Sequence, residues 1–414
     1  MIDSFETVDI SLTTLTYGGE ALGRLEDGRA VFVPFALPGE RVRARLVEEK
    51  RNHARADLVE VLSPSAERIA PRCAHFGVCG GCHYQHLPYP AQLAAKTTIL
   101  REQLERIGRF SDPPVQEAVA SPDAYHYRNH VQFHLTPGGK LGYIQRRPEQ
   151  VFAVRECHLP EELINATWPQ LEFEPGAGLE RVGLRLGVED DLQLILEGRD
   201  PQPPELSIEE LRLSAVHLSP TGALVLAGSE YVVMEVAGRL LRVSAGSFFQ
   251  VNTPMAAAMV EHLLANLPLG ATSTVLEVYC GVGLFSAFLA PRVGRLIAIE
   301  ASPSAAEDFV ANLDEFDNVE LYEAPADQVL PQLDLQPDAI LLDPPRAGLE
   351  RGALEAVLRL QAPVVAYVSC DPSTLARDAR RLAEGGYHLD SITPFDLFPQ
   401  TFHIESISFW SKGK

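Results

Sequence analysis

The stretch Thr274-Val-Leu-Glu-Val-Tyr-Cys-Gly-Val-Gly283 predicts a hydrophobic strand that runs into a Gly-x-Gly turn and then into a helix. Such a turn exposes backbone N–H groups at the start of a helix, where ligands bind. Further hydrophobic strands are predicted at 296–300, 339–342 and 364–368, with helical stretches between them. Strands that alternate with helices form a parallel sheet, so residues 256–414 are predicted to be a doubly wound, Rossmann-like α/β domain.

The Gly-x-Gly turn is typical of an S-adenosylmethionine (AdoMet) site rather than a dinucleotide site. A dinucleotide fingerprint requires a third glycine at position 286, where this chain has Ser286. Glu277 lies inside the first strand, and Glu300 ends the second strand, where a carboxylate can accept hydrogen bonds from both hydroxyls of a ribose. We therefore expect AdoMet as the cofactor, against the alternative of two surface glutamates on an unrelated α/β domain.

Two later strand ends carry reactive side chains. Asp343 opens the segment Asp343-Pro-Pro-Arg346 at the carboxyl edge of the sheet, where ligands bind in such folds. Cys370 ends the next strand beside a predicted helix N-terminus, a position that lowers the pKa of a thiol and favours a nucleophile. The alternative is a buried structural cysteine. His403 and Glu405 lie two residues apart, so on a strand they share a face, and either is a candidate general base.

These groups suit methylation at carbon 5 of a uracil. Carbon 5 is too weak a nucleophile until a thiolate adds to carbon 6 and converts the ring to an enolate. A general base must then remove the proton at carbon 5 before the thiolate can leave. A nucleophilic cysteine, a methyl-donor site and a base are the three parts that this reaction requires.

Residues 7–61 are predicted to form short strands. In the segment 42–47, Arg43 and Arg45 point to one face and apolar residues to the other. Five short strands in roughly 55 residues predict a small barrel of the OB type, and such barrels often bind single-stranded nucleic acid. The alternative is a packing module with an exposed basic strand.

The first four cysteines lie in the first half of the chain: Cys73, Cys79, Cys82 and Cys157. Three are local and one is distant, which fits a [4Fe–4S] cluster with four thiolate ligands. Zinc sites usually arise from two short-spaced pairs of ligands, so zinc is the second interpretation and unligated core cysteines the third. Possible zinc ligands flank the cysteines: His75, His83 and His158.

The charge is unevenly distributed along the chain, whose formal net charge is −21. Residues 1–158 carry 19 basic and 19 acidic side chains, whereas the remaining residues carry 16 and 37. Residues 1–158 therefore repel a polyanion such as RNA less strongly than residues 159–414 do. Within the first range, the segments Tyr125-His-Tyr-Arg128-Asn129 and Arg146-Arg147 combine aromatic and cationic groups that can stack on bases and hold phosphates. The alternative for these side chains is a solvated β-surface.

The sequence excludes several protein classes. No apolar run reaches the roughly 18 residues that a membrane helix needs. The first ten residues carry three acids and no apolar core, so they do not resemble a signal peptide. Six cysteines in 414 residues do not make a disulfide scaffold. We expect a cytoplasmic protein of two to three domains with no membrane contact and no obligate protein partner.

The chain resembles the bacterial iron–sulfur RNA 5-methyluridine methyltransferases, specifically those that modify 23S ribosomal RNA. Residues 7–62 look like the TRAM domain of this family, and Cys73-x5-Cys79-Gly-Gly-Cys82-x2-Gln85-His86 with Gln92-x3-Lys96 looks like its cluster segment. Cys157 matches the fourth cluster ligand. The resemblance implies three domains, namely a TRAM barrel at 1–62, a β-rich iron–sulfur and RNA-binding domain at 63–255, and an AdoMet-dependent methyltransferase domain at 256–414.

The same resemblance implies roles for single residues. Ser369-Cys370-Asp-Pro is similar to the nucleophile motif, and His403-Ile-Glu405 to the segment in which Glu405 is the base. The residues implied as AdoMet contacts are Gln250, Tyr279, Glu300, Asp343 near the methyl donor, and Asp327 near the adenine.

The leading hypothesis is therefore AdoMet-dependent methylation of carbon 5 of a uridine in 23S rRNA. Methylation of the T-loop uridine of transfer RNA is the first alternative. A non-catalytic RNA-binding protein with a zinc-stabilised loop is the second. A cytosine 5-methyltransferase is disfavoured, because Cys370 is the only cysteine after residue 280 and those enzymes usually carry a second motif cysteine.

Overall fold

The N-terminal strands close into a small barrel in the computed structural model, which describes residues 7–146, 149–204 and 212–413. The strands are β1 (Thr7–Leu15), β2 (Glu20–Arg24), β3 (Ala30–Pro34), β4 (Arg41–Glu49) and β5 (His53–Ser63). Their order is β1-β2-β3-β5-β4. Along β4, Val42, Ala44 and Leu46 point into the barrel core, which confirms the predicted barrel and its alternation.

A loop and a helix connect the barrel to the rest of the chain. Residues 64–88 contain neither helix nor strand and carry three of the four first-half cysteines. Helix α1 (Tyr89–Arg106) follows. Its buried face carries Leu100 and Leu104, which pack in the C-terminal core, and the polar side chains Gln92 and Lys96.

The central region is a seven-stranded sheet, as its β-rich sequence predicted. Its strands are β6 (His130–Leu135), β7 (Leu141–Ile144), β8 (Val151–Ala153), β9 (Leu179–Leu186), β10 (Leu192–Gly198), β11 (Ser214–Ser219) and β12 (Gly222–Ala227). They lie in the order β12-β11-β10-β9-β6-β7-β8. Helix α2 (Glu162–Thr167) packs on this sheet, and Phe133, Ile164 and Leu184 share its core.

A hairpin and a helix lead into the last domain. They are β13 (Tyr231–Val236), β14 (Arg239–Ser244) and α3 (Thr253–Asn266). Val232, Val243 and Met259 pack in the core of the C-terminal domain. Residues 231–244 therefore pack with the third domain, although they lie in the range predicted for the second.

The C-terminal domain is the predicted doubly wound sheet. Its strands are β15 (Thr274–Val278), β16 (Arg295–Glu300), β17 (Val319–Glu323), β18 (Ala339–Leu342), β19 (Val364–Ser369), β20 (Tyr387–Phe395) and β21 (Glu405–Lys412). Its helices are α4 (Ser286–Leu289), α5 (Pro303–Asn312), α6 (Ala326–Val329), α7 (Arg351–Leu360) and α8 (Pro372–Glu384). The order is β17-β16-β15-β18-β19-β21-β20, and β21 runs antiparallel to both of its neighbours.

The strand order reverses at β15, which lies between β16 and β18. In doubly wound sheets, ligands bind outside the carboxyl ends of the strands at such a reversal. None of the helices among the described residues is long and apolar enough to span a membrane.

Candidate active site

A cavity of about 660 Å³ lies at the carboxyl ends of β15, β16, β18 and β19. Neither Glu277 nor His403 lines it, but seven other side chains that the sequence and the resemblance nominated for cofactor binding and catalysis do. They are Gln250, Tyr279, Glu300, Asp327, Asp343, Cys370 and Glu405. Residues that lie far apart in the sequence thus line one site.

The Gly-x-Gly turn forms one wall of this cavity. Gly283 has φ of 90°, and a Cβ there would lie 2.6 Å from Leu313 Cδ2, so only glycine fits. Beneath the turn, buried Glu277 accepts a hydrogen bond of 2.5 Å from the hydroxyl of Ser286 at the start of α4. Burial raises the pKa of Glu277 to about 8, so this carboxyl stabilises the turn largely in its protonated form at neutral pH.

Glu300 joins the turn to the end of β16. Its carboxylate accepts hydrogen bonds from the N–H groups of Gly281 at 2.8 Å, Ala301 at 2.8 Å and Ser302 at 2.7 Å. A carboxylate has about four acceptor positions, so capacity remains for a hydroxyl donor from a ligand. The backbone contacts fix the orientation of this carboxylate before any ligand binds.

Three further side chains line the same space. Asp343 follows β18, and burial together with the charge of Glu300 raises its pKa to about 7. Asp327 lies in the first turn of α6. Gln250 precedes α3, and its backbone carbonyl accepts a hydrogen bond of 3.0 Å from the Asn129 amide. Asp343 and Asp327 therefore both place a carboxyl group on the lining of the cavity.

Cys370 follows β19, and Asp371 caps α8 by accepting from Ser373 N at 2.9 Å and Thr374 N at 3.0 Å. The expected lowering of the thiol pKa by the helix N-terminus is wrong. Burial, followed by the charges of Glu405 and Asp343, raises the pKa of Cys370 to about 12, although the charge of Arg346 lowers it. Desolvation and facing carboxylates outweigh the helix dipole, which Asp371 already uses.

Glu405 is the first residue of β21, and it lines the cavity. Burial and the charge of Asp343 raise its pKa to about 8. His403 precedes the strand, so the predicted shared face does not form. Its ring packs on Phe402, with centroids 4.4 Å apart, and burial lowers its pKa to about 3. The geometry favours Glu405 over His403 as a base.

Two aromatic side chains of the cavity escaped the sequence-based interpretation. Phe248 is 73% exposed although it lines the site, and Phe398 lies under the guanidinium of Arg128 at 6.0 Å. Phe248 lies two residues before Gln250, and Phe398 lies seven residues before Glu405. An exposed phenylalanine is a signal that only the structure supplies, because the sequence does not report exposure.

The four first-half cysteines surround a second cavity, of about 540 Å³. Two of their sulfurs accept backbone hydrogen bonds of 3.4 Å, from His75 N to Cys73 and from Gly81 N to Cys79. Within the described residues, no three His, Cys, Asp or Glu side chains converge closely enough to hold a single metal ion. In a [4Fe–4S] cluster each thiolate binds its own iron, whereas in a zinc site all of the ligands bind one ion.

The flanking histidines are engaged elsewhere. His75 Nε2 accepts a hydrogen bond of 3.1 Å from Arg155 N, and the ring of His83 packs edge-on against Phe402 with centroids 4.6 Å apart. His158 lies 3.5 Å from Glu156. The contacts of His75 and His158 each occupy a ring nitrogen, which disfavours these two histidines as zinc ligands.

Some of the side chains nominated for RNA binding are buried or paired within the protein, and others are more accessible. Tyr127 is buried, and its hydroxyl donates to Pro399 O at 3.1 Å, so it belongs to the core. Tyr125 is more accessible and lies under Arg72 at 4.9 Å. Arg146 binds Glu20 of the barrel at 2.6 Å, and Arg147 lies outside the described residues.

The basic strand β4 is partly neutralised within the barrel. Arg43 lies 3.0 Å from Asp9 and 3.3 Å from Glu60, and Arg45 lies 3.6 Å from Asp57. Exposed ion pairs of this kind are weak, so these arginines can exchange partners at small cost.

The chain is similar to several known proteins. The sequence model described as tRNA (uracil-5-)-methyltransferase matches residues 205–412, and that of the TRAM domain matches residues 4–59. An uncharacterized RNA methyltransferase of Thermosynechococcus vestitus is 33% identical over 97% of both chains. Another from Streptomyces coelicolor is 33% identical over 97% of this chain and 92% of its own.

One solved structure shares the overall fold. It is the Pyrococcus abyssi tRNA (uracil-54, C5)-methyltransferase in complex with S-adenosyl-L-homocysteine, with a TM-score of 0.75 and 22% identity. The match covers 97% of this chain and 100% of that one. At this identity the likeness shows that the arrangement of domains is shared.

Proposed function

This chain belongs to the RNA (uracil-5-)-methyltransferase family with a TRAM domain, and we propose that it methylates a specific uridine of 23S rRNA through a covalent adduct of Cys370. The observation that carries the proposal is the single cavity lined by Cys370, Glu405 and the five nominated AdoMet contacts. AdoMet, when bound there, supplies the electrophilic methyl group.

The residues of the cavity fit AdoMet. Glu300 is held by three backbone N–H groups in an orientation that leaves acceptor capacity for ribose hydroxyls. Gln250, Tyr279 and Asp327 line the same cavity, and the charge of Asp343 raises the pKa of the Cys370 thiol. A cation beside Asp343 and Glu405 would lower the pKa values of both, because an opposite charge favours the ionised form.

Cys370 must lose its proton before it attacks carbon 6, since its pKa is about 12 in the ligand-free protein. Glu405, with a pKa of about 8, and Asp343, with a pKa of about 7, are suited to exchange protons near neutral pH. A cationic ligand in the cavity would also favour the thiolate. The thiol is therefore held unreactive until the site is filled.

Glu405 then acts at the end of the reaction. After carbon 5 has been methylated, Glu405 takes the proton from carbon 5, and the electrons of that C–H bond restore the double bond to carbon 6. The bond between carbon 6 and the sulfur of Cys370 breaks, and the thiolate leaves. Burial of Glu405 favours this role, because it raises the affinity of the carboxylate for a proton.

The substrate proposal rests on the combination of a TRAM barrel with the four-cysteine segment. The Pyrococcus neighbour and the family description name tRNA, so a T-loop uridine is the second candidate. Mapping 5-methyluridines by mass spectrometry in both RNAs from cells that lack the gene decides between them. We expect one or more 23S sites to lose the methyl group and to regain it with the wild-type gene but not with Cys370→Ala. Loss confined to tRNA would contradict the 23S assignment.

We also propose that Cys73, Cys79, Cys82 and Cys157 hold a [4Fe–4S] cluster with a structural role in this cytoplasmic enzyme. The surrounding cavity and the two N–H···S hydrogen bonds support this assignment. The methylation needs no electron transfer, so the cluster has no redox step to perform. Anaerobically purified protein should be brown and contain iron and sulfide, whereas a colourless protein with stoichiometric zinc would contradict the proposal.

A further inference from the structure

Tyr17 belongs to the barrel, but its side chain reaches the catalytic domain. It lies in the turn between β1 and β2, and its hydroxyl donates a hydrogen bond of 3.0 Å to Asp371 Oδ2. Its ring packs edge-to-face against Phe402, with centroids 5.5 Å apart. Asp371 directly follows Cys370, and Phe402 lies three residues before Glu405. One side chain therefore contacts both segments that carry the reacting groups.

The contact with Asp371 completes a fixed loop. Asp371 uses Oδ1 to cap α8 and Oδ2 to accept from Tyr17, so both of its oxygens are held. On the other side of Cys370, Ser369 Oγ accepts from the N–H of Asp371 at 3.2 Å. The hydrogen bond from Tyr17 connects this loop to the barrel domain. A hydrogen bond to a charged carboxylate is stronger than one between neutral groups.

The barrel turn, residues 16–20, is shaped for this approach. Gly19 has φ of 78°, and a Cβ there would lie 2.8 Å from the Cβ of His83. His83 belongs to residues 64–88, the cysteine loop. Glu20 is buried and binds Arg55 at 2.7 Å and Arg146 at 2.6 Å. These contacts fix the turn against the cysteine loop and the central domain, so Tyr17 projects from a rigid base.

We propose that Tyr17 is a positioning residue for the chemical step, which holds the loop of Cys370 and the segment before Glu405 in register for attack on carbon 6. The proposal rests on the proposed function, in which Cys370 is the nucleophile. Small displacements of reacting groups reduce rates strongly, so a contact to both segments affects turnover. The barrel then contributes to catalysis as well as to RNA binding.

Tyr17→Phe separates these two contributions, because it removes the hydroxyl and keeps the ring on Phe402. We expect kcat to fall about 10-fold, the order for one lost charge-assisted hydrogen bond, with KM for RNA unchanged. The kcat of Tyr17→Ala should be lower still, because this substitution also removes the ring that packs against Phe402. The matched control is Tyr322→Phe on the edge strand β17, which should leave both constants unchanged. A raised KM with unchanged kcat would show instead that Tyr17 binds RNA and would overturn the proposal.

A double-mutant cycle tests the mechanism of the effect. Asn is as good a helix cap as Asp, so Asp371→Asn keeps the cap while weakening the bond from Tyr17. If Tyr17 acts through Asp371, the two substitutions remove the same interaction. The factor by which the double variant Tyr17→Phe/Asp371→Asn lowers kcat should then be smaller than the product of the two single factors. Independent effects would overturn this route.

The rate of adduct formation on RNA with 5-fluorouridine at the target provides the final readout. Fluorine cannot be removed as a proton, so the Cys370 adduct persists and its formation can be timed. Tyr17→Phe should form the adduct about 10-fold more slowly, in line with its kcat. Equal rates in wild type and variant would overturn the positioning role. No adduct in the wild type would overturn the covalent function on which the role rests.

Discussion

The catalytic cavity and the cysteine cavity both bury thiols, but they surround them with different partners. The thiol of Cys370 lies among the charged groups of Glu405, Asp343 and Arg346. The four thiols of the other cavity face one another and backbone N–H groups. A thiol among acids can exchange its proton and react, whereas four thiols around a cavity can share an inorganic group. The roles proposed for the two cavities therefore follow from the partners of their cysteines rather than from burial.

The largest expected effect is on the reactive side of this comparison. Cys370→Ala removes the only sulfur in the catalytic cavity that is proposed to attack carbon 6, so methylation should be abolished. AdoMet affinity, measured by calorimetry, should stay close to that of the wild type, because the substitution removes no proposed cofactor contact. The iron content should also be unchanged. Substantial turnover on natural RNA would remove the covalent mechanism.

Loss of the base should stop the reaction later. Glu405→Gln spares the addition of Cys370 and the methyl transfer but cannot take the proton from carbon 5, so turnover should fall by roughly 10²- to 10⁴-fold. A methylated protein–RNA adduct should accumulate, visible on denaturing gels with labelled AdoMet. Glu405→Gln combined with Cys370→Ala should show none. If His403→Ala accumulates the adduct and Glu405→Gln does not, the base is His403.

The structural side of the comparison is tested by Cys82→Ser. This variant should lose iron and melt at a lower temperature, because the cluster joins the loop 73–82 to Cys157. The cysteine loop also donates hydrogen bonds from His83 and Tyr84 to Gln400 O, near the base, so partial loss of activity should follow. Cys370→Ala is the matched control, with full iron and no activity. Normal iron in Cys82→Ser would contradict the cluster assignment.

The smallest expected effect is the pH dependence of stability. Burial raises the pKa of Glu405 from 4.5 to about 8, so the folded protein keeps a proton that the unfolded chain releases. This carboxyl therefore favours folding least at high pH, and its contribution falls as pH rises from about 5 to 8. Glu405→Gln should flatten the decrease of the unfolding free energy over that range, measured with urea. An unchanged slope would show that Glu405 titrates normally.

The sequence predicted the barrel and the doubly wound sheet because both follow from local patterns. The alternation of Arg43 and Arg45 with apolar neighbours is a property of β4 alone. The strand that ends at Glu300 and the Gly-x-Gly turn are equally local. Each of these features can be recognised within about ten residues of sequence, because it depends on local hydrophobic periodicity and not on distant contacts.

The electrostatics of Cys370 could not be predicted in the same way. A helix N-terminus is visible in the sequence around Cys370, but the opposing carboxylates come from other strands, at Asp343 and Glu405. The role of Tyr17 depends on a contact with Asp371 across 354 positions of sequence. Interactions of this range depend on tertiary packing, which no local pattern reports.

The central claim is that Cys370, and not a cysteine of the other cavity, bonds to the RNA. The most direct measurement is mass spectrometry of the peptide that remains attached to a 5-fluorouridine RNA after reaction with AdoMet and digestion. The account predicts one modified peptide, containing Cys370, with a nucleotide that carries the added methyl group. Attachment at any other residue, or full methylation of natural RNA by a protein that never forms the adduct, would contradict it.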